Sequence, residues 1–511
     1  MVFSIASAVR LGWHQTHCKT QVYMGGNFVP DIQRLSDASP RVADAADGNA
    51  FRAPGRKHRG PSTGLALLVS FVFLALGMLA GCGLYSPPAL ILVLLSFACL
   101  IAAFTFAWRA LPFDRAAPGV VPFAAGLILC LLVSPVDPPG FNIQQPAFDI
   151  TCRIWSIVFA CLVAACYLPV SRRLARGRQA VFVLGVLAAF ALRIWMPIAS
   201  PAPVIDVFAL LQESSQHLVQ GKNPYATPVS DVYRGEASAL FDTPRTYDYL
   251  PANLYLLAPV RAVTGDVRYG YVVAEAGIAA ALWWLARRRW PRPVAELLPL
   301  LFLYHPRSLF VLEQSWTEPL ILLFFALFLF QYERGRRTWA AAAYGYMLSL
   351  KLYLLYFVFH WLFVERNWRR LLLGSAIATI TVLPFLLLDW RSFLAGTLFV
   401  VNTRFRLDSL TIFGYLAPAL GLYPPKIWTV GVGAVFAAAL LPPLRKMPPL
   451  RGYLFAVTIT MFAMFVFGSQ AFCNYYYFVS GILLFLLAVG GAAEGGATSN
   501  PSRIARSGTP R

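Results

Sequence analysis

Charge is scarce in this 511-residue chain: 13% of residues are Asp, Glu, Lys or Arg, 58% are hydrophobic, and the mean hydropathy is +0.61. Soluble domains carry about 25% charged residues, so a soluble class is excluded and the chain reads as a multi-spanning membrane protein. Lysine is scarcer still, six of the 43 basic residues, a bias that fits a GC-rich bacterial coding sequence. The eight cysteines contain no CxxC and no Cys/His spacing of the metal-binding kind. Cys82, Cys99, Cys130, Cys161 and Cys166 fall inside apolar runs, so they read as membrane packing. A basic face with interleaved aromatics is also missing. The formal charge of +20 therefore marks loops that obey the positive-inside rule, not a nucleic-acid surface. Residues 1–61 lack an apolar run long enough for a signal-peptide h-region. They are expected to be a disordered cytoplasmic tail, or in part a stretch upstream of the true start, and residues 491–511 a second such tail.

What the chain has in abundance is apolar runs. Those at about 64–85, 89–108, 119–134, 154–170 and 180–198 approach the roughly 20 residues a bilayer-crossing helix needs. Basic clusters within 51–60, 171–178, 286–293, 333–338, 365–370 and 444–451 belong on the cytoplasmic side. The N-terminus is then inside, and residues 199 to about 267 are outside. The run between 333–338 and 365–370 has the length of one crossing but basic flanks at both ends, so it must go out and return, breaking near Lys351. The same logic puts 304–319 at the outer side of the run 293–332. Further crossings near 371–388, 426–443, 452–468 and 474–490 leave 391–410 and 469–477 outside. The expected fold is all-α, a polytopic membrane bundle of roughly 12–14 transmembrane helices.

Most polar residues that no cytoplasmic loop explains fall on the outer side, among them Arg193, Asp206, Glu213, Asp248, His305, Glu318, Lys351, Arg404, Arg406 and Asn474. In the stretch 202-APVIDVFALLQESSQHLVQGKNPYATPVS-230, Val207, Leu211 and Leu218 form an apolar stripe at helical spacing, and Asp206 and Glu213 project from nearly one side. That pattern is a helix lying at the membrane interface, closed at Gly221 and turned back by 223-NPY-225. A solvated amphipathic loop helix, with Asp206 only starting it, fits the same pattern. Lys351 and Arg193 lie inside apolar runs, where an ionisable group is costly and faces a cavity, a partner or a ligand. Arg193 is close enough to the outer end of its helix to snorkel there. Lys351, Arg404 and Arg406 suit a phosphate or pyrophosphate, with arginine able to bind it in two-pronged fashion.

In sequence order, an outer aspartate just after a membrane helix, an interfacial helix, and the ending 221-GKNPY-225 resemble the first extracytoplasmic loop of GT-C glycosyltransferases that use polyprenyl-phosphate sugars. The nearest likeness is to the mannosyltransferases of glycosyltransferase family 87, and more distantly to the eukaryotic GPI mannosyltransferases. The segment 246-TYDYLPANLYLLAP-259 is similar to the tyrosine- and proline-rich return of that loop. The stretch 305-HPRSLFVLEQSWTEPLILL-323 and the lysine of 349-SLKLYL-354 look like later features of the group. The resemblance covers about 179–490, with 62–178 as a four-helix N-terminal membrane extension. Two departures stand out: Asp206 lacks the second acid of an Asp-x-Asp pair, and His305 stands where the pattern has asparagine.

The resemblance implies a GT-C-like fold with an extracytoplasmic interfacial helix after the fifth span, in the cell (inner) membrane. It implies inverting transfer of a mannose-like hexose from a polyprenyl-phosphate-sugar donor to a lipid or glycan acceptor, with no cofactor or metal. Asp206 would be the general base. Lys351, Arg404 or Arg406 would meet the charge growing on the lipid phosphate. Glu213 would hold acceptor hydroxyls, Arg193 and His305 would line the substrate cavity, and Tyr247, Tyr249 and Tyr475–Tyr477 the sugar or prenyl sites. An aromatic belt at the interface explains the tyrosines equally well. A transporter or flippase for a lipid-linked or anionic solute would use the same basic, aromatic cavity. Transporters often carry internal repeats and midplane sites, and the chain shows neither. A non-catalytic scaffold fits poorly with so much charge on one side.

Overall fold

The computed structural model describes residues 62–109, 119–168, 176–233, 245–399 and 403–490; the two expected tails lie outside them. Among the described residues all regular structure is helical, apart from one isolated antiparallel bridge between Leu84 and Ser409. The described residues belong to one compact unit.

Five helices come first: α1 (Thr63–Ala80), α2 (Pro87–Trp108), α3 (Val120–Val133), α4 (Pro146–Tyr167) and α5 (Arg178–Ala199). Then follow α6 (Asp206–Val219), α7 (Ala252–Thr264) and α8 (Arg268–Ala286). Two interrupted pairs come next, α9 (Arg292–Leu303) with short α10 (Ser308–Glu313) and α11 (Glu318–Glu333), and α12 (Arg337–Leu348) with α13 (Leu355–Val364). The chain closes with α14 (Trp368–Leu388), α15 (Trp390–Thr397), α16 (Ile412–Leu420), α17 (Lys426–Leu444), α18 (Pro449–Phe467) and α19 (Cys473–Gly490).

Among the described residues nine helices are long and apolar enough to cross a membrane: α1, α2, α4, α5, α8, α14, α17, α18 and α19. The protein is therefore a multi-pass helical membrane bundle. Nine is fewer than the 12–14 crossings expected from the sequence, because α3, α9, α11, α12 and α13 have only 10–16 residues each. The interruptions fall where the basic flanks require them: at 304–317, and at 349–351, where Lys351 is in extended backbone (φ −155°, ψ 141°). In the first interruption Ser315 takes up the left-handed region at φ 58°, uncommon without a glycine, and its carbonyl accepts from the Tyr271 hydroxyl at 2.9 Å.

Local signals set the helix starts. Ser62 and Ser86 accept from the amides of Leu65 (3.1 Å) and Ala89 (3.3 Å) to cap α1 and α2, and proline opens α2, where a missing N–H costs nothing. Helices α18 and α19 are apolar all round and almost wholly covered by neighbours, whereas α14 and α17 keep most of their surface open; both are settings for an all-round apolar helix in a membrane bundle. Where α12 meets α14, a Cβ on Gly345 would lie 2.2 Å from the Gly374 carbonyl oxygen, so only glycine allows that backbone approach.

The bundle has two polar ends. At one, Glu296 accepts from Tyr167 (3.1 Å), Arg178 (2.8 Å) and Arg292 (3.0 Å), and Arg289 pairs with Glu333 at 2.5 Å. Helix α5 runs from Arg178 here to Ala199 at the other end, about 33 Å at 1.5 Å per residue. That second end is knitted by bonds between loops far apart in sequence. Arg307 pairs with Asp137 at 2.5 Å. Glu313 accepts from the amides of Phe141 and Asn142 at 2.7 Å each and from the Ser200 hydroxyl at 2.9 Å. The Tyr85 amide donates to the Asp408 carbonyl at 2.8 Å, and that of Leu410 to Ala471 at 2.9 Å.

Candidate functional site

The second polar end gathers Asp206, Asp248, Lys351, Glu318, Arg406 and Asp408 from segments far apart in sequence. Asp206 stands at the first position of α6, after a loop fixed by Arg268, which donates to the Ser200 carbonyl at 2.6 Å and pairs with Asp266 at 2.6 Å. The Asp206 carboxylate accepts from its neighbour's amide (Val207, 2.8 Å) and from the Tyr233 hydroxyl (3.4 Å). Burial raises its pKa; the Val207 bond, the positive charge of Arg406 and the Tyr233 bond act against that.

Asp248 lies in the turn before α7, between two tyrosines that pin it. The Tyr247 hydroxyl donates to the Leu250 carbonyl at 3.2 Å, and that of Tyr225 to the Tyr249 carbonyl at 2.7 Å. A Cβ on Gly396 would come within 2.3 Å of the Tyr247 carbonyl oxygen, so α15 closes the turn from behind. The Oδ1 atom of Asp248 is buried and accepts no hydrogen bond. Burial, and next the negative charge of Asp206, push its pKa up to about 7, with Lys351 pulling the other way.

Lys351, in the break between α12 and α13, donates to Oε1 of Glu318 at 2.5 Å. Its ammonium also faces the rings of Tyr475, Tyr353 and Tyr249 at 5.1, 5.3 and 5.5 Å, within cation–π range. The same Glu318 oxygen accepts from Asn474 (3.0 Å) and Tyr353 (3.3 Å). Arg406 makes a two-pronged pair with Asp408 at 2.9 and 2.5 Å and lies 4.5 Å over the Phe472 ring. Tyr475 is within reach of the charges of Lys351, Glu318, Asp248 and Arg406, so one cluster joins these elements. Among the described residues, no three His, Cys, Asp or Glu side chains gather closely enough to hold a metal ion.

Of the site residues expected from the sequence, Asp206, Tyr249, Lys351 and Arg406 meet in this cluster, and Arg404 is exposed two residues from Arg406. Four others lie outside it. Glu213 accepts the Ser230 amide at 2.8 Å and folds back the loop after α6. Tyr247 is fully buried as packing. Arg193 does not snorkel: it is 1% exposed, ion-paired with Glu275, and donates to the Leu303 (2.7 Å) and Ala189 (3.1 Å) carbonyls. His305 is buried edge-on between Phe71 and Tyr477, its Nδ1 accepting the Arg307 amide at 3.2 Å. With Arg193 it lines a small cavity bordered by Asp137, Arg153 and Tyr304, and none of the cluster residues borders it.

Sequence reasoning placed Asp248 and Glu318 on the outer side but gave them no role. Two signals pointed to them: an acid flanked by tyrosines in 246-TYDYLP-251, and an acid opening an apolar helix in 317-TEPLILL-323. If the Lys351–Glu318 pair is structural, Lys351→Met should destabilise the detergent-solubilised protein by about 3–5 kcal/mol, because a wholly buried carboxylate loses its cation. The double variant Lys351→Met/Glu318→Gln should regain most of that in the same unfolding measurement. Equal instability of single and double variants would refute the assignment.

Compared with known family models, curated proteins and solved structures, this chain matches none.

Proposed function

We propose that this protein is an integral-membrane glycosyltransferase that moves a mannose-like hexose from a polyprenyl-phosphate sugar to a lipid or glycan acceptor, with inversion, on the extracytoplasmic face of the cell membrane. The observation that carries the reading is the meeting, at one end of an apolar bundle, of Asp206 and Asp248 with Lys351 and Arg406. The positive-inside rule assigns that end to the outside, and the likeness of 202–259 to the first loop of GT-C enzymes points the same way.

The chemistry follows from the groups. The acceptor hydroxyl attacks the anomeric carbon while Asp206 takes its proton. The bond from that carbon to the phosphate oxygen breaks on the opposite side, and Lys351 and Arg406 lower the cost of the charge that collects on the polyprenyl phosphate. The faces of Tyr249, Tyr353 and Tyr475 offer flat apolar surface for a sugar ring beside that cation. No step requires a group from outside the chain.

The test uses purified full-length protein in liposomes, supplied with labelled polyprenyl-phosphate mannose, then other polyprenyl-phosphate sugars, and a membrane lipid extract as acceptor. The expected result is label in a new product with release of one polyprenyl phosphate per sugar transferred. If no donor yields product while labelled donor crosses the bilayer, the cluster belongs to a transporter.

A further inference from the structure

The two aspartates of the cluster are held differently. Asp206 accepts from the Val207 amide and the Tyr233 hydroxyl and feels Arg406, and all three favour its charged form. Asp248 has a buried carboxylate oxygen that accepts from nothing, and a buried oxygen of that kind is costly as an anion. Its charged and titratable neighbours are Asp206 on α6, Lys351 in the α12–α13 break, Tyr475 on α19, and the tyrosines Tyr225, Tyr247 and Tyr249 around its own turn. Both cations already face carboxylates, Lys351 with Glu318 and Arg406 with Asp408. With Asp206 and Asp248 both ionised, these described residues are together net negative, a poor host for a lipid phosphate. A proton relieves that conflict.

We propose that Asp248 is the acid of the pair: its carboxyl proton passes to the leaving phosphate oxygen as the anomeric C–O bond breaks, while Asp206 takes the proton of the acceptor hydroxyl. The proposal rests on the transferase reading. The proton then moves from Asp206 to Asp248, which resets the site. In sum, the acceptor's proton departs on the polyprenyl phosphate, one C–O bond forms and one breaks, and no further reactant is consumed. One acid and one base carboxyl is also the division of labour in inverting glycoside cleavage. Burial and the neighbouring Asp206 push the Asp248 pKa up to about 7, the direction a proton donor needs.

The test compares two donors, the natural phosphodiester and an analogue with sulfur bridging the anomeric carbon and phosphorus, whose leaving group needs no proton. With the oxygen donor, wild-type kcat/KM should fall as pH rises through about 7, where Asp248 loses its proton. Asp248→Asn should be slower by roughly 10²–10⁴-fold, the usual range for one acid–base group, and should lose that alkaline decline. Asp248→Glu, which still titrates, should keep a decline. With the sulfur donor the deficit of Asp248→Asn should shrink to a few-fold, whereas Asp206→Asn should stay slow with both. An equal deficit of Asp248→Asn on both donors, or undiminished transfer by it, would overturn the acid role and leave the transferase reading standing. Absence of transfer by the wild type from every donor would remove both.

Discussion

Asp206→Asn is expected to lower hexose transfer by roughly 10²–10⁴-fold, the loss that follows when a positioned base can no longer take a proton. The substitution is mild structurally. An asparagine oxygen can still accept from the Val207 amide and the Tyr233 hydroxyl, the two bonds that hold the side chain at the start of α6. The protein should therefore fold and melt as the wild type does, and donor KM should move much less than kcat. Single-turnover transfer by the variant in liposomes, alongside its melting temperature, makes the comparison. Full activity would assign the base elsewhere. Glu213, the alternative on the same helix face, is engaged with the Ser230 amide, so Asp248 would be the next carboxylate to consider.

A second large effect is expected far from the chemistry. Arg193→Met removes the cation of a pair whose side chains are 2% and 0% exposed. Removing one partner of such a pair costs about 3–5 kcal/mol, because the charge left behind stays buried. The loss should appear as a lower yield of folded protein and faster thermal inactivation in detergent. Adding Glu275→Gln should restore most of it. Because none of the cluster residues borders the cavity that Arg193 lines, the folded fraction of the single variant should keep its donor KM. A raised KM at unchanged stability would return Arg193 to the substrate.

These two residues also show what a sequence can and cannot tell. Apolar run lengths and basic flanks located the breaks at 304–317 and near Lys351, because both signals are local and the bilayer imposes the rest. The helix that starts at Asp206 was legible for the same reason, from a stripe of Val207, Leu211 and Leu218 within one short segment. Partners were not legible. Lys351 meets Glu318 over 33 residues, Arg193 meets Glu275 over 82, and Arg307 meets Asp137 over 170. Helical periodicity says which face of a helix a residue occupies but not which neighbour that face meets. So the sequence could not show that Arg193 meets Glu275 or that His305 packs between Phe71 and Tyr477, and Asp248 went without a role because nothing in 246-TYDYLP-251 reveals that one of its oxygens is buried without a donor.

The Glu313 carboxylate, which takes the amides of Phe141 and Asn142 together with the Ser200 hydroxyl, has a bearing on how the chain can be divided. Gly140 lies so close to it that a Cβ there would sit 2.5 Å from the carboxyl carbon, and on the same side the Tyr85 amide supports the Arg406–Asp408 loop. A fragment beginning at residue 179, the minimal unit that the family likeness suggests, would keep Glu313 and Arg406 but discard the Phe141 and Asn142 amides on the first and the Tyr85 amide behind the second. The first four helices and the turns between them thus brace Glu313 and the loop that carries Arg406, and trimming the gene from its 5′ end would remove that bracing before it reached Asp206.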